Sequence, residues 1–361
     1  MPCYKPMLAI PWSINHETGK VQYKFTRKLF SSEDLSEVET VEGKPFKRKA
    51  LPCGQCLGCR LDYAKEWAMR CILELQDHDI NECYFVTLTY DDQHVPYSQR
   101  EVVGTFRQID QILMTKGYVG NTAWKEKPSN QTLVFDHLQL FLKNLRRSQQ
   151  YHYGKQFRFY ACGEYGTKTM RPHFHIILYG LHLSEPTDDT WKKSMSGYYV
   201  WEDKYLEKIW KNGNVIVGRV TYNSCEYVAR YMLKKQKGHY GQFYETFNIE
   251  PEACRMSLKP GIGMNYYEKH RNLIYKYDEI HVATEKHGLT FKPPRKFDKA
   301  YQEEHPDYYA MLAEDREWQA FCSMVAKEHN SGKPISDILK DAEISRKSKS
   351  KILQKRSVGN G

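Results

Sequence analysis

Two kinds of segment are missing from this sequence of 361 residues. No apolar run approaches the ~20 residues needed to cross a bilayer, and the apolar stretch over residues 7–12 is too short for the core of a secretory signal. Ten cysteines are also too few for a disulfide scaffold in a chain of this length. These absences argue against a membrane-embedded protein and a disulfide-stabilised secreted one, so we expect a soluble protein in a reducing cytosol.

Acidic residues are in deficit. The chain has 54 Lys and Arg against 44 Asp and Glu, which gives a formal net charge of +10 and predicts an anionic partner without naming it. A wholly disordered chain is excluded, because 40% of the residues are apolar and 14% are aromatic. The 27 tyrosines and 7 tryptophans also provide planar rings on which bases could stack.

Hydrophobic patterning predicts a mixed α+β protein. Apolar residues at helical spacing predict helices over residues 61–76, 133–148 and 225–235, and β-branched or alternating runs predict strands over residues 83–90, 157–164, 172–179 and 214–220. The second and third strands flank a short loop and are expected to form a β-hairpin. Residues 1–50 are interpreted as a loosely ordered arm, and residues 346–356, with six basic residues and no acid, as a tail.

A tight cysteine series lies near the N-terminus. Cys53, Cys56 and Cys59 have the spacing of metal ligands, and in a reducing compartment this spacing predicts a metal site before a disulfide. A structural zinc site needs a fourth ligand, for which Cys71 or the distant Cys3 are candidates. The alternative is a set of free or buried thiols in a tight glycine-containing turn.

A histidine pair lies on the predicted strand over residues 172–179. His173 and His175 are separated by one residue, so both imidazoles project from one face and can offer one cation two nitrogen ligands. Glu164, at the end of the preceding strand, could complete a site of two imidazoles and one carboxylate. The alternative is a pair of packed or surface histidines beside a loop-edge carboxylate.

Two tyrosines and a lysine share one face of the predicted helix over residues 225–235. Tyr227, Tyr231 and Lys234 stand at i, i+4 and i+7, which places the two tyrosines about 6 Å apart along the helix axis. A phenol attacks a phosphate at neutral pH only with help from a base or cation. The alternative is an amphipathic helix that buries two aromatic rings.

Three motifs follow one another along the chain: FVTLTY at 85–90, RPHFH at 171–175 and YVARYMLKK at 227–235. Their order and content resemble the motifs of the HUH endonuclease superfamily, and in particular the two-tyrosine rolling-circle replication initiators of Microviridae phages of the gokushovirus type. That group also has a PCGxCxxCR segment before a basic helix, as in LPCGQCLGCR at 51–60, and CGEYG before RPHFH, as at 162–166. The resemblance covers roughly residues 50–270, and the joint match is far more specific than any single motif.

The resemblance implies an α+β fold with an HUH endonuclease core, in which a central antiparallel β-sheet is flanked by helices in an RRM-like or palm-like arrangement. We divide the chain into an N-terminal arm with the cysteine turn and basic helix (1–80), an HUH endonuclease domain (81–290) and a charged C-terminal extension with a basic tail (291–361).

The resemblance also implies roles for individual residues. His173, His175 and Glu164 are expected to bind one catalytic Mg²⁺ or Mn²⁺ ion, Tyr227 and Tyr231 to act as nucleophiles, and Lys234 to contact the phosphate or leaving group. We assign a further set of polar and basic residues within the motifs to DNA binding: Thr87, Thr89, Arg171, Arg230 and Lys235.

The expected activity is a metal-dependent nick in one strand at a phage origin, with a 5′-phosphotyrosine intermediate and rejoining of the ends to release circular single-stranded DNA. The DNA would be single-stranded or supercoiled duplex, in the cytoplasm of the bacterial host. The helicase P-loop GxxxxGK[ST] is absent from the sequence, so a host helicase and a host DNA polymerase are expected partners. Two alternatives stay open: a non-catalytic single-stranded DNA-binding or packaging protein, and a relaxase or transposase with the same nuclease core.

Overall fold

The computed structural model describes residues 3–27, 30–98, 130–166, 170–184, 186, 191–193, 198–230, 244–245, 248–283 and 288–358. The chain divides into two compact units, one formed by Met1–Tyr63 with Asp298–Gly361 and the other by Ala64–Phe297. The division at residues 81 and 291 made from the sequence stays a prediction.

Both units contain strands. They are β1 (Met7–Ile14), β2 (Val21–Thr26), β3 (Val38–Val41), β4 (Lys44–Lys47), β5 (Lys49–Leu51), β6 (Cys83–Tyr90), β7 (Arg158–Tyr165), β8 (Pro172–Tyr179), β9 (Trp191–Lys193), β10 (Tyr199–Glu202), β11 (Gly213–Arg219), β12 (Cys254–Met256), β13 (Ile280–Ala283) and β14 (Gly288–Phe291).

The described helices are α1 (Ser32–Ser36), α2 (Leu57–Leu75), α3 (Phe135–Tyr153), α4 (Lys204–Trp210), α5 (Tyr222–Arg230), α6 (Met264–Tyr277), α7 (Arg295–Glu304), α8 (Pro306–Ser331) and α9 (Ile335–Val358), with a 3-10 turn at Ile80–Glu82. None of the helices in the described ranges is both long enough and apolar enough to span a membrane.

The first unit contains a small sheet in the order β2-β1-β5, in which all pairs are antiparallel, and a separate β3–β4 hairpin. Its core brings Leu8 of β1 and Leu35 of α1 together with Ile335 and Leu339 of α9. The interpretation of residues 1–50 as a loosely ordered arm is therefore wrong, because these short strands bury their apolar side chains against helices from the far end of the chain.

The predicted C-terminal tail is also helical. Residues 346–356 lie within α9, which continues to Val358. The run is basic but contains neither glycine nor proline, so nothing in it breaks the helix that Ile335 and Leu339 anchor.

The second unit is built on a seven-stranded antiparallel sheet in the order β12-β7-β8-β6-β11-β10-β9. This bears out the predicted α+β class, the central antiparallel sheet and the hairpin of β7 and β8. The predicted strand over 83–90 is β6, and the helices expected over 61–76 and 133–148 are α2 and α3. Of the helix expected over 225–235, the structure describes the part up to Arg230.

The two faces of this sheet have different chemistry because side chains alternate along each strand. Leu88 of β6 and Phe174 and Ile176 of β8 face the core and are buried together with Leu138 and Leu142 of α3. The residues between them, which include the histidine pair of the RPHFH motif, therefore project from the opposite face.

Candidate active site

The candidate site lies on the non-core face of three neighbouring strands, β7, β8 and β6. In the antiparallel register, His175 of β8 lies opposite Thr87 of β6, and His173 lies opposite Thr89. On the other side of β8, His173 lies opposite Glu164 of β7. Two threonines, two imidazoles and one carboxylate are thus brought to a single patch.

Each imidazole is held by a threonine hydroxyl. Thr87 Oγ1 lies 3.0 Å from His175 Nδ1, and Thr89 Oγ1 lies 3.2 Å from His173 Nδ1. A hydroxyl oxygen can accept a hydrogen bond from Nδ1–H, and in that tautomer Nε2 keeps its lone pair for a metal ion. Thr87 and Thr89 are therefore placed to orient His175 and His173, a role that the sequence did not reveal.

Glu164 and His175 form the closest pair of possible ligands. Glu164 Oε1 lies 2.9 Å from His175 Nε2, and the two residues are only 5% and 6% exposed. Two neighbouring ligands at about 2.1 Å from an octahedral ion are about 3.0 Å apart. The donor set and its spacing thus fit a shared Mg²⁺ or Mn²⁺ ion.

His173 is on the same face but does not converge as closely. The ring centroids of His173 and His175 are 6.4 Å apart, and among the described residues these two histidines and Glu164 do not bring all three donor atoms within 4.8 Å of one another. A three-ligand site would require the His173 ring to move, and its assignment as a ligand stays a prediction.

Tyr227 borders this patch from helix α5. Its ring contacts His175 edge-on, with 5.6 Å between the centroids and an interplanar angle of 79°. Tyr227 is 49% exposed, whereas Val228 and Ala229 on the same helix are fully buried. The tyrosine is therefore not a core residue of an amphipathic helix, and its phenol stands beside the imidazole that contacts Glu164.

Phe85 completes the surroundings of His175 and was not singled out from the sequence. Its ring stacks on His175 at 5.7 Å and meets Tyr227 edge-on at 6.0 Å. The signal was present in the alternation of β6, because Phe85, Thr87 and Thr89 share one strand face.

Arg171 lies just before β8 and connects its start to the end of β6. Its guanidinium donates to the Tyr90 carbonyl at 2.8 Å and pairs with Asp92. The other predicted site residues are outside what the structure describes: Tyr231, Lys234 and Lys235 entirely, and Arg230 in its side chain. The DNA-binding assignments stay predictions.

The cysteine series forms a second candidate metal site in the first unit. Cys53, Cys56 and Cys59 come together with Cys3, all four sulfurs lie within 4.8 Å of one another, and this group could hold a metal ion. The fourth thiol is Cys3 and not Cys71. Cys71 lies twelve residues beyond Cys59 on the same helix, about 18 Å along its axis, and is fully buried.

The segment that carries this site matches a known protein family. A family model described as Replication-associated protein ORF2/G2P matches residues 83–236, a stretch that begins with β6 and contains β7, β8 and α5. No solved structure matches the chain.

Three relatives from phages are similar over long stretches. Replication-associated protein ORF2 of Spiroplasma virus 4 is 32% identical over 349 residues, 95% of this chain and 94% of that protein. Replication-associated protein VP4 of Bdellovibrio phage phiMH2K is 28% identical over 77% of this chain and 74% of its own, and Replication-associated protein ORF4 of Chlamydia phage 1 is 29% identical over 76% and 60%. The chain therefore belongs to the family of phage replication-associated proteins, which confirms the resemblance to rolling-circle initiators drawn from its motifs.

Proposed function

We propose that this protein nicks one strand of phage origin DNA with Tyr227 as a nucleophile, beside a divalent cation bound by Glu164, His173 and His175. The observation that carries the proposal is the contact series on one sheet face, in which Tyr227 packs against His175 and His175 Nε2 contacts the buried Glu164. An antiparallel sheet with the histidine pair on an interior strand and the tyrosine helix beside it supports assignment to the HUH endonuclease fold.

The chemistry is a transesterification at phosphorus. The Tyr227 oxygen forms a bond to the scissile phosphate, the bond from phosphorus to the 3′ oxygen breaks, the phenol proton passes to solvent and the departing 3′ oxygen gains a proton. The products are a 5′-phosphotyrosine and a free 3′-hydroxyl that can prime synthesis. A bound Mg²⁺ or Mn²⁺ ion would supply positive charge to polarise the scissile phosphate, and the nitrogen ligands favour Mn²⁺ in affinity.

Tyr231 is proposed as the second nucleophile, and Lys234 as the phosphate or leaving-group contact. The support is their spacing in the sequence, since residues at i, i+4 and i+7 would share one face in the helix predicted over 225–235. Two adjacent tyrosines allow the roles to alternate: the second cleaves the regenerated origin, and the released 3′-hydroxyl attacks the first phosphotyrosine to close a single-stranded circle. Each step exchanges one phosphodiester for another, so joining needs no ATP.

Arg171, Arg230, Lys235, Thr87 and Thr89 are proposed to guide the DNA strand to this patch. Unwinding and synthesis would fall to a host helicase and a host DNA polymerase, since the sequence has no helicase P-loop. The reaction would take place in the cytoplasm of the host bacterium.

The proposal is tested by mixing the full chain with Mn²⁺ and a labelled origin oligonucleotide and resolving the products under SDS. A covalent protein–DNA adduct is expected, with mass spectrometry placing the phosphotyrosine at position 227 or 231. The double variant Tyr227→Phe, Tyr231→Phe should form no adduct, whereas Tyr151→Phe, which changes a phenol that is 85% exposed and far along α3, should react like the wild type. An adduct that persists in the double variant overturns the assignment. Binding without cleavage by the wild type would favour a single-strand binding protein instead.

The threonine contacts predict that loss of either hydroxyl weakens metal binding. Replacing Thr87 or Thr89 by valine keeps the shape of the side chain but removes the hydroxyl that fixes the imidazole, so we expect Mn²⁺ affinity to fall about 10–100-fold. Titration calorimetry without DNA measures this directly. Thr290→Val is the matched control, because Thr290 Oγ1 makes the same contact with His281 Nδ1 at 3.1 Å on the β13–β14 hairpin. Equal affinity in all three variants would contradict an orienting role.

A further inference from the structure

Four cysteine sulfurs converge in the first unit. Cys3 Sγ lies 3.6 Å from Cys53 Sγ and 3.7 Å from Cys56 Sγ, and Cys59 brings its sulfur into the same group, within 4.8 Å of the others. All four are free thiols. Their separations are far longer than the S–S bond of about 2.05 Å in a disulfide. The sulfurs are therefore not bonded to one another, and a shared metal ion is the alternative that their convergence favours.

Backbone N–H groups and the start of a helix lie around the sulfurs. Backbone N–H groups donate to three of them: Tyr4 to Cys56 Sγ at 3.3 Å, Cys53 to Cys3 Sγ at 3.2 Å and Cys56 to Cys53 Sγ at 3.3 Å. Cys56 directly precedes the first residue of α2, and Cys59 lies in its first turn. Hydrogen bonds of this kind to the ligand atoms orient them around a bound ion.

We propose that Cys3, Cys53, Cys56 and Cys59 bind one structural Zn²⁺ ion. Four sulfurs at about 2.3 Å from a tetrahedral zinc ion are about 3.8 Å from each other, close to the 3.6 and 3.7 Å observed. A tetrathiolate set leaves no open position for water or substrate, so this site is structural. Soft sulfur ligands also select against the Mg²⁺ or Mn²⁺ expected at the histidine pair.

The fold explains why Cys3 joins a series fifty residues away. Met7 at the start of β1 pairs with Leu51 at the end of β5, so the segments that leave these two strands on the same side carry Cys3 and Cys53 towards each other. Zinc would link this end of the paired strands β1 and β5 to the start of α2. Since such a site does not exist in the unfolded chain, metal binding adds directly to the stability of the first unit.

The test is metal content in the full chain, purified without chelators and measured by plasma mass spectrometry. We expect zinc equimolar with protein, lost in Cys3→Ser and retained in Cys322→Ser, which removes an exposed thiol on α8 outside the group. Zinc should also be retained in His175→Ala, which separates this site from the histidine pair. No DNA is present, so the result is independent of nicking and of the proposed function.

A second measurement covers the case in which Cys3→Ser does not fold. The wild-type chain is stripped of metal and titrated with Co²⁺, and the intense visible absorption of tetrahedral thiolate-bound cobalt is expected to appear and then to disappear on addition of Zn²⁺. Four outcomes overturn the proposal: purified protein without metal, iron in place of zinc, zinc undiminished in folded Cys3→Ser, or zinc lost from His175→Ala.

Discussion

Replacing His175 by alanine is expected to lower the rate of Mn²⁺-dependent cleavage of origin DNA about a thousand-fold, on the order of 4 kcal/mol in activation free energy. His175 is the side chain on which the site converges: Thr87 holds its Nδ1, Glu164 contacts its Nε2, and Tyr227 packs against its ring. The substitution removes a proposed metal ligand and one partner of the buried Glu164 carboxylate, and it takes away the ring against which the Tyr227 phenol packs.

Single-turnover cleavage at saturating oligonucleotide isolates this effect from DNA binding, which fluorescence anisotropy should show to be nearly unchanged. The matched control is His152→Ala, an exposed histidine in the last turn of α3, for which we expect the wild-type rate. A His175→Ala protein that folds, binds DNA and still cleaves within a few-fold of the wild-type rate would place the catalytic cation elsewhere.

The strand-borne half of this site was open to prediction because strand periodicity determines side-chain faces. Alternation alone placed His173 and His175 on one face of β8, and Thr87 and Thr89 on one face of β6. The hydroxyl–imidazole contacts were not predictable, since they depend on the register between two strands separated by more than eighty residues. A shift of one residue in that register would have sent the threonines to the opposite face.

The position of Tyr227 and the identity of the fourth cysteine depend on tertiary packing. The position of Tyr227 beside His175 depends on how α5 docks, with Ala229 buried against Ala64 and Ala68 of α2, and no local pattern encodes that fit. The identity of the fourth cysteine could not be predicted for a similar reason. Cys71 is nearer in sequence, but the rise of α2 places it far from Cys59. Cys3 is distant in sequence, but the β1–β5 pairing brings it close to Cys53.

Removing a buried glutamate on α2 is expected to destabilise the second unit strongly. Glu74 has no exposed surface. It pairs with Arg158 of β7, lies 3.4 Å from His78 Nε2 and accepts a hydrogen bond from the Gly263 amide at 2.6 Å. One carboxylate thus joins the helix, the central sheet and the residue that precedes α6.

Glu74→Ala should lower the free energy of unfolding by about 3–5 kcal/mol, because it removes the buried acceptor of Arg158 Nε and of the Gly263 amide. Arg158 keeps its bond from Nη2 to the Pro260 carbonyl at 2.7 Å. Urea denaturation followed by fluorescence measures the change. Glu268→Ala is the control: that residue pairs with Arg271 one turn away on the exposed surface of α6, and its loss should cost less than about 1 kcal/mol. Equal effects of the two substitutions would show that the buried cluster is not a stabilising one.

The same carboxylate predicts how stability depends on pH. Burial by itself raises the pKa of Glu74, but the hydrogen bonds from its three partners outweigh burial and hold the pKa below its ordinary value of 4.5. The folded state therefore binds the proton less readily than the unfolded chain, so the stabilisation is complete above 4.5 and is lost as the pH falls through the lower folded-state pKa. Glu74→Gln, which cannot titrate, should flatten the fall in unfolding temperature between neutral pH and this acidic range, and an unchanged slope would assign the acid sensitivity to other carboxylates.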